Sequence, residues 1–145
     1  MEKCKATAVY ARTSSKKQNF VLQIEAASPH LKGIEPEGLF YFVDEGVSGF
    51  SKPVDLLKLI DLIKNDKIGT LVVYNRKRLV TSLDIYLQLV NLIDKHKVKV
   101  IFTATDEDTL GDMFSEGFKA LMIKYEGIML SNRIKAGKKY SASRN

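Results

Sequence analysis

Cysteine is nearly missing from this chain. Cys4 is the one cysteine in 145 residues, which excludes a disulfide framework and a cysteine-ligated metal cluster and fits a reducing interior. Long apolar runs are missing as well: none approaches the roughly 18 residues that span a bilayer. The opening residues, Met1-Glu2-Lys3-Cys4-Lys5, lead straight into a β-prone stretch and lack a signal peptide's apolar segment. A cytoplasmic protein without a membrane partner is the expectation. Nucleotide loops of the G-x-x-x-x-G-K-[ST] or G-x-G-x-x-G kind are absent. The two histidines, His30 and His96, fall late in expected helices, so a Ser-His-Asp hydrolase is not expected and both read as surface or packing residues.

Acid is absent from one end. Residues 131–145 hold Arg133, Lys135, Lys138, Lys139 and Arg144 and no Asp or Glu, so they carry +5 of the net +6. The remainder is nearly neutral. Positive charge gathered on one segment points to a polyanion partner such as a nucleic acid more than to general solubility. The length suits one domain with a core, and 45% apolar with 28% charged residues is ordinary for a globular chain.

Strand and helix patterns alternate four times. Ala8 to Ala11 is a β-prone run ending at Arg12, and a helix is expected over about 20–31, with Val21, Ile24 and Leu31 on one side and Pro29 interrupting it. Leu39 to Val43 reads as a second strand. Pro53 opens a helix whose Leu56, Leu59, Ile60 and Ile63 share a face. Thr70 to Tyr74, apolar without alternation, fits a central parallel strand. Ser82 is placed to cap a helix burying Tyr86, Leu89, Val90 and Ile93. Lys99 to Ala104 is strand four, and a long helix starts near Asp112. Its Phe114, Phe118, Leu121, Tyr125 and Ile128 step by four and three, the seam of a helix that packs along another; the two readings are a second subunit and the chain's own sheet. The expected architecture is α/β: a mostly parallel sheet of four to five strands with helices on both faces, plus a long C-terminal helix. Residues 1–110 form the α/β domain and 111–145 the interface helix with its basic tail.

In such sheets ligands bind at the carboxyl ends of strands. Those ends collect Arg12 with Ser14 and Ser15, Asp44 with Glu45, Arg76-Lys77-Arg78, and Asp106 with Asp108. A hydroxyl beside guanidinium groups suits a phosphodiester, one group attacking phosphorus and the others holding its oxygens. The acidic sets admit a magnesium-dependent phosphotransfer reading, against the plainer one of caps and turns. Tyr10 reads as core.

Tyr10-x-Arg12-x-Ser14-Ser15-x-x-Gln18, Asp44-Glu45-Gly46-x-Ser48-Gly49, and Leu71-Val72-Val73-Tyr74 leading to Arg78-Leu79 together resemble the catalytic domain of serine site-specific recombinases (resolvases, invertases and serine integrases). Asn132-Arg133-Ile134-Lys135-x-Gly137-Lys138-Lys139 resembles the last turns of that family's long helix. The resemblance implies cofactor-free cleavage and exchange of double-stranded DNA through a 5′-phosphoserine link, by a homodimer that forms a tetramer in the active complex. It implies Ser14 as nucleophile, a catalytic set of Ser14, Arg12, Arg78, Asp44, Lys52 and Gln18, and DNA contacts from Arg133, Lys135, Lys138 and Lys139. Three expected guanidinium groups are missing, with Lys52, Thr81 and Gly127 in their places. Either catalysis is weakened or lost, leaving a DNA-binding and assembly module, or Arg76 or Lys77 substitutes. Position 81 reads as polar loop, where Thr81→Arg should be accommodated.

Overall fold

A computed structural model describes residues 5–15, 19–47, 52–104 and 110–143, with the backbone alone from residue 130 onward. Strand β1 (Ala6–Arg12) is followed by helix α1 (Val21–Ala27), and then come β2 (Leu39–Asp44), α2 (Val54–Lys64) and β3 (Ile68–Val73). A single turn α3 (Arg76–Leu79), α4 (Leu83–Lys95), β4 (Lys99–Phe102) and the long α5 (Met113–Ser143) complete the chain. Among the described residues the sheet has four strands in the order β2-β1-β3-β4, all parallel.

β1 lies between two neighbours, and Ala8, Val9, Tyr10 and Ala11 are all at most 1% exposed, which is what a run without alternation needs. Alternate residues still serve opposite faces. Ala8 and Tyr10 join Leu71, Val73, the α2 and α4 stripes and Ala120 in the main core, while Val9 and Val72 pack with Ala27 on the other face. The four apolar positions foreseen on each of α2 and α4 are all buried, and the Ser82 hydroxyl caps α4 by accepting from Ile85 N at 3.2 Å.

Several boundaries differ from expectation; β4, for one, ends at Phe102 and not at Ala104. α1 ends at Ala27 and tightens into a 3-10 turn, Ser28–Leu31, because Pro29 lacks an N–H and its ring opposes a further α-helical turn. Its face differs too: Val21 is 42% exposed, while Gln23 and Ala27 are buried. Pro53 precedes the first helical residue of α2, and β3 runs over Ile68–Val73, with Tyr74 outside it.

The chain leaves β1 toward β2 and returns to β3 on the other side, so the order reverses between β1 and β3. That switch point opens a crevice at the strands' carboxyl ends. Arg12 ends β1 and Arg76 to Arg78 follow β3, so both basic sets stand at it.

Candidate active site

The loops after β1 and β2 are tied together first. Thr13 N donates to the Asp44 carbonyl at 3.0 Å, and Val47 N donates to the Thr13 carbonyl at 2.8 Å. Gly46, at φ +70°, takes a conformation open to glycine and donates its N–H to Thr13 Oγ1 at 3.1 Å. Asp44 is 4% exposed and its carboxylate is fully engaged. Oδ2 accepts from the Tyr10 hydroxyl at 2.6 Å and Leu56 N at 3.0 Å, and Oδ1 accepts from Asp55 N at 2.9 Å. It thus caps the start of α2 from another element, meeting N–H groups that have no partner within the helix. Burial, and next the Asp44 hydrogen bond, push the Tyr10 phenol far above its ordinary range, so it stays a donor.

Arg12 is 5% exposed, and its guanidinium clamps three backbone carbonyls. Nε donates to Arg78 O at 3.0 Å, Nη1 to Val47 O at 2.8 Å and Nη2 to Lys77 O at 2.8 Å. Gln23 fixes the Arg12 backbone from α1, accepting from its N–H at 3.1 Å and donating to its carbonyl at 2.9 Å. Arg78 Nη1 donates to the same carbonyl at 3.2 Å. Burial lowers the Arg12 pKa below its ordinary value; the nearby Arg78 charge adds to this and Asp44 opposes it. A guanidinium has more donors than three carbonyls consume, so Arg12 can hold the loops and still face an anion. Ser14, two residues beyond Arg12, is exposed, Ser15 is half-buried, and Lys77 is exposed.

Arg76 behaves differently. It is 4% exposed and Glu116, from the first turn of α5, is 0% exposed. Nε and Nη2 donate to the two Glu116 oxygens at 2.6 and 3.1 Å, and Oε1 and Oε2 also accept from the Tyr86 hydroxyl at 2.7 Å and Gly111 N at 2.7 Å. Burial alone would raise the Glu116 carboxyl; the donors from Arg76, Tyr86 and Gly111 outweigh it and hold the group below its ordinary range. The Arg76 guanidinium also stands 4.9 Å from the centre of the Phe102 ring. Arg76 therefore pins α5 to the sheet, and the expectation that it could replace a missing catalytic cation is corrected. Thr81 is corrected likewise: it is 1% exposed, so an arginine there would displace core instead of entering a polar loop.

α5 contributes one further group. Lys124 donates from Nζ to the Thr81 carbonyl. Burial, then the Arg12 charge, lower its pKa below the ordinary lysine range. Sequence reasoning missed Gln23, Glu116 and Lys124. Glu116 sits at a helix start, where an acid is unremarkable, and Lys124 is one cation in an amphipathic helix; Gln23 offered only the weak signal of an amide within an apolar stripe.

Other sequence-derived candidates scatter. Lys52 is exposed beside a groove lined by Phe40, Phe42 and Leu57. Gln18, Ser48, Gly49, Asp106 and Asp108 lie outside the described residues. Arg133, Lys135, Lys138 and Lys139 fall on the helical backbone of α5, with no described side chain. Among the described residues no three Asp, Glu, His or Cys side chains gather as metal ligands, and Asp44 already accepts from three donors. His30 is exposed, and His96 Nδ1 lies 3.2 Å from the exposed Asp66. Among the described residues no helix is long and apolar enough to cross a membrane.

Solved structures share this fold. The N-terminal catalytic domain of TP901-1 integrase superposes with a TM-score of 0.60 at 23% identity, over 88% of this chain and 98% of that one. The C-terminal catalytic domain of ISC1926 TnpA, an IS607-like serine recombinase, gives 0.58 at 20% identity, over 90% and 85%. A resolvase family site-specific recombinase from Streptococcus pneumoniae gives 0.57 at 16% identity, over 94% and 99%. No curated protein matches the chain. Residues 7–145 match the family described as Resolvase, N terminal domain, and with nearly its whole length matched, this chain belongs to the resolvase family and is a recombinase domain whose partner is DNA.

Proposed function

We propose that the chain cleaves and exchanges DNA strands through a 5′-phosphoserine link at Ser14, acting in the cytoplasm as a homodimer that pairs into a tetramer. The observation that carries this is an exposed hydroxyl at the switch point on the strand end that also bears two guanidinium groups: Ser14 lies two residues after Arg12, and Arg78 donates to the Arg12 carbonyl. The Ser14 oxygen attacks phosphorus, the bond to the 3′ oxygen breaks, and that oxygen leaves as a hydroxyl. Arg12 and Arg78 stabilise the negative charge growing on the phosphoryl oxygens. Asp44 acts as a positioning residue, since its oxygens are committed to Tyr10 and α2. Gln18 and Lys52 complete the proposed set, and Arg133, Lys135, Lys138 and Lys139 follow the DNA backbone. Residues 1–110 serve as the catalytic unit and 111–145 as the interface and DNA arm.

The exposed seam of α5 supports the dimer: Phe114 is 87%, Phe118 62% and Tyr125 59% exposed, so the seam does not pack on its own sheet. A nicked suicide duplex tests the chemistry. Wild type should trap a phosphoserine at Ser14, Ser14→Ala should trap none, and Ser15→Ala should still trap it; an adduct on Ser15 would refute the assignment. The second reading, a DNA-binding module with impaired cleavage, is favoured by the commitment of Arg76 to Glu116. An adduct accumulating only over days, with normal DNA affinity, would support that reading.

A further inference from the structure

The phosphate-facing edge is built from β1 and the segment after β3, yet α5 reaches it too. Lys124 is half-buried and donates from Nζ to the Thr81 carbonyl, three residues beyond Arg78. Polar atoms without protein partners gather at this segment: Arg78 Nε and Thr81 Oγ1 are both buried and unbonded. Leaving such atoms unbonded is costly, a cost tolerated where a ligand completes the site. Arg12 adds a buried positive charge whose described partners are neutral carbonyls.

We propose that Lys124 is a third cation of the phosphate site, delivered by α5, and that it contacts the oxygens of the scissile phosphate alongside Arg12 and Arg78. The inference rests on the cleavage reading above and deepens it. The bond to the Thr81 carbonyl aims the ammonium at the segment that carries Arg78. Burial and the Arg12 charge both disfavour the protonated lysine, and an anion bound between the two cations would relieve both. α5 would then supply part of the cationic charge missing at positions 81 and 127.

Two measurements on the full chain decide it. Lys124 is followed by NMR through its Cε resonance while inorganic phosphate is added, with chloride at matched ionic strength as control. Single-turnover adduct formation on saturating nicked duplex is measured for wild type, Lys124→Gln and Lys124→Arg. Phosphate, unlike chloride, should shift Lys124. Lys124→Gln should slow the adduct by about 10²-fold with little change in duplex affinity, and Lys124→Arg should restore most of the rate by restoring the charge. A merely structural tie to Thr81 would not respond to phosphate, and a Lys124 signal indifferent to it overturns the inference whatever the rates are. So does Lys124→Gln cleaving at the wild-type rate. If Lys124→Gln fails to fold, the phosphate shift and the Lys124→Arg rate decide. A phosphate shift without any Ser14 adduct would keep the anion site and sink the cleavage reading instead.

Discussion

Arg12 and Arg76 are buried almost equally, at 5% and 4% exposed, and serve opposite purposes. Arg76 meets a carboxylate, and the root of α5 is electrically closed by the Glu116 pair. Arg12 meets three carbonyls, whose dipoles hold a cation without cancelling its charge. Burial disfavours the Arg12 charge and the nearby Asp44 carboxylate offsets only part of that, which suits the anion site proposed above. Burial does not separate a structural arginine from a functional one. The charge of the partner does.

The comparison breaks most visibly at the switch point. Arg12→Lys keeps the charge but cannot fork across three carbonyls and a phosphate. Adduct formation on saturating DNA should fall by on the order of 10² to 10³, measured in single turnover. A rate near wild type would mean that the clamp on the loops is dispensable. At the root of α5 the loss should be in stability instead. Glu116→Gln leaves Arg76 buried without its counter-ion and should cost about 3–5 kcal/mol in urea unfolding. Replacing the whole group, Arg76→Met with Glu116→Leu and Tyr86→Phe, should recover much of that, because apolar packing can match a buried pair.

Acid should sharpen the contrast. The folded-state pKa of Glu116 is depressed, so its contribution is present above the unfolded glutamate pKa and is lost as pH falls through the folded value. Urea midpoints of wild type should therefore drop in the acid range below ordinary glutamate titration, and Glu116→Gln should flatten that part of the drop. The carbonyls around Arg12 do not titrate, so Arg12→Lys should leave it in place. Equal acid slopes in wild type and Glu116→Gln would place the acid lability in other carboxylates.

Once rooted by Glu116, α5 turns its other face outward. Phe118→Glu or Leu121→Glu puts a charge into the proposed subunit contact and should raise the dimer dissociation constant at least about tenfold, since one misplaced charge costs more than 1.4 kcal/mol. Sedimentation would show this, with the unfolding midpoint nearly unchanged because both side chains are over half exposed. A wild type that is monomeric at high micromolar concentration would leave the seam without a partner of its own kind.

Much of this was legible from periodicity and strand ends. The α2 and α4 stripes, the Ser82 cap, the α/β class and the start of α5 followed from spacing that reports burial directly. The loops holding Arg12 and Ser14 were visible because a polar cluster follows an apolar run. What stayed hidden were pairings across the chain. Nothing local tells that Arg76 will find Glu116, forty residues away, while Arg78, two residues on, faces the other loop. Thr81 reads as polar loop from its neighbours, and its burial arises only when α5 lies across it. The end of α1 was legible in part: Pro29 reads as an interruption, and the structure stops the α-helix at Ala27, while the 3-10 turn that follows was not foreseen.

The smallest expected effect compares two tyrosines. Tyr10 donates to Asp44 at 2.6 Å and Tyr86 to Glu116 at 2.7 Å, and burial, then the carboxylate hydrogen bond, raise both phenols far above neutral pH. Both therefore remain donors over the ordinary pH range, and phenylalanine removes one hydrogen bond from each carboxylate. Glu116 keeps Arg76 and Gly111 N, with a full positive charge against it. Asp44 keeps Asp55 N and Leu56 N, which offer only the partial charges of a helix start. Tyr86→Phe should accordingly cost about 1.5 kcal/mol, and Tyr10→Phe about 2.5 kcal/mol, within the range for hydrogen bonds to charged groups. Urea unfolding of the two variants at neutral pH measures the gap. Equal losses would show that Asp44 is compensated as fully as Glu116 is.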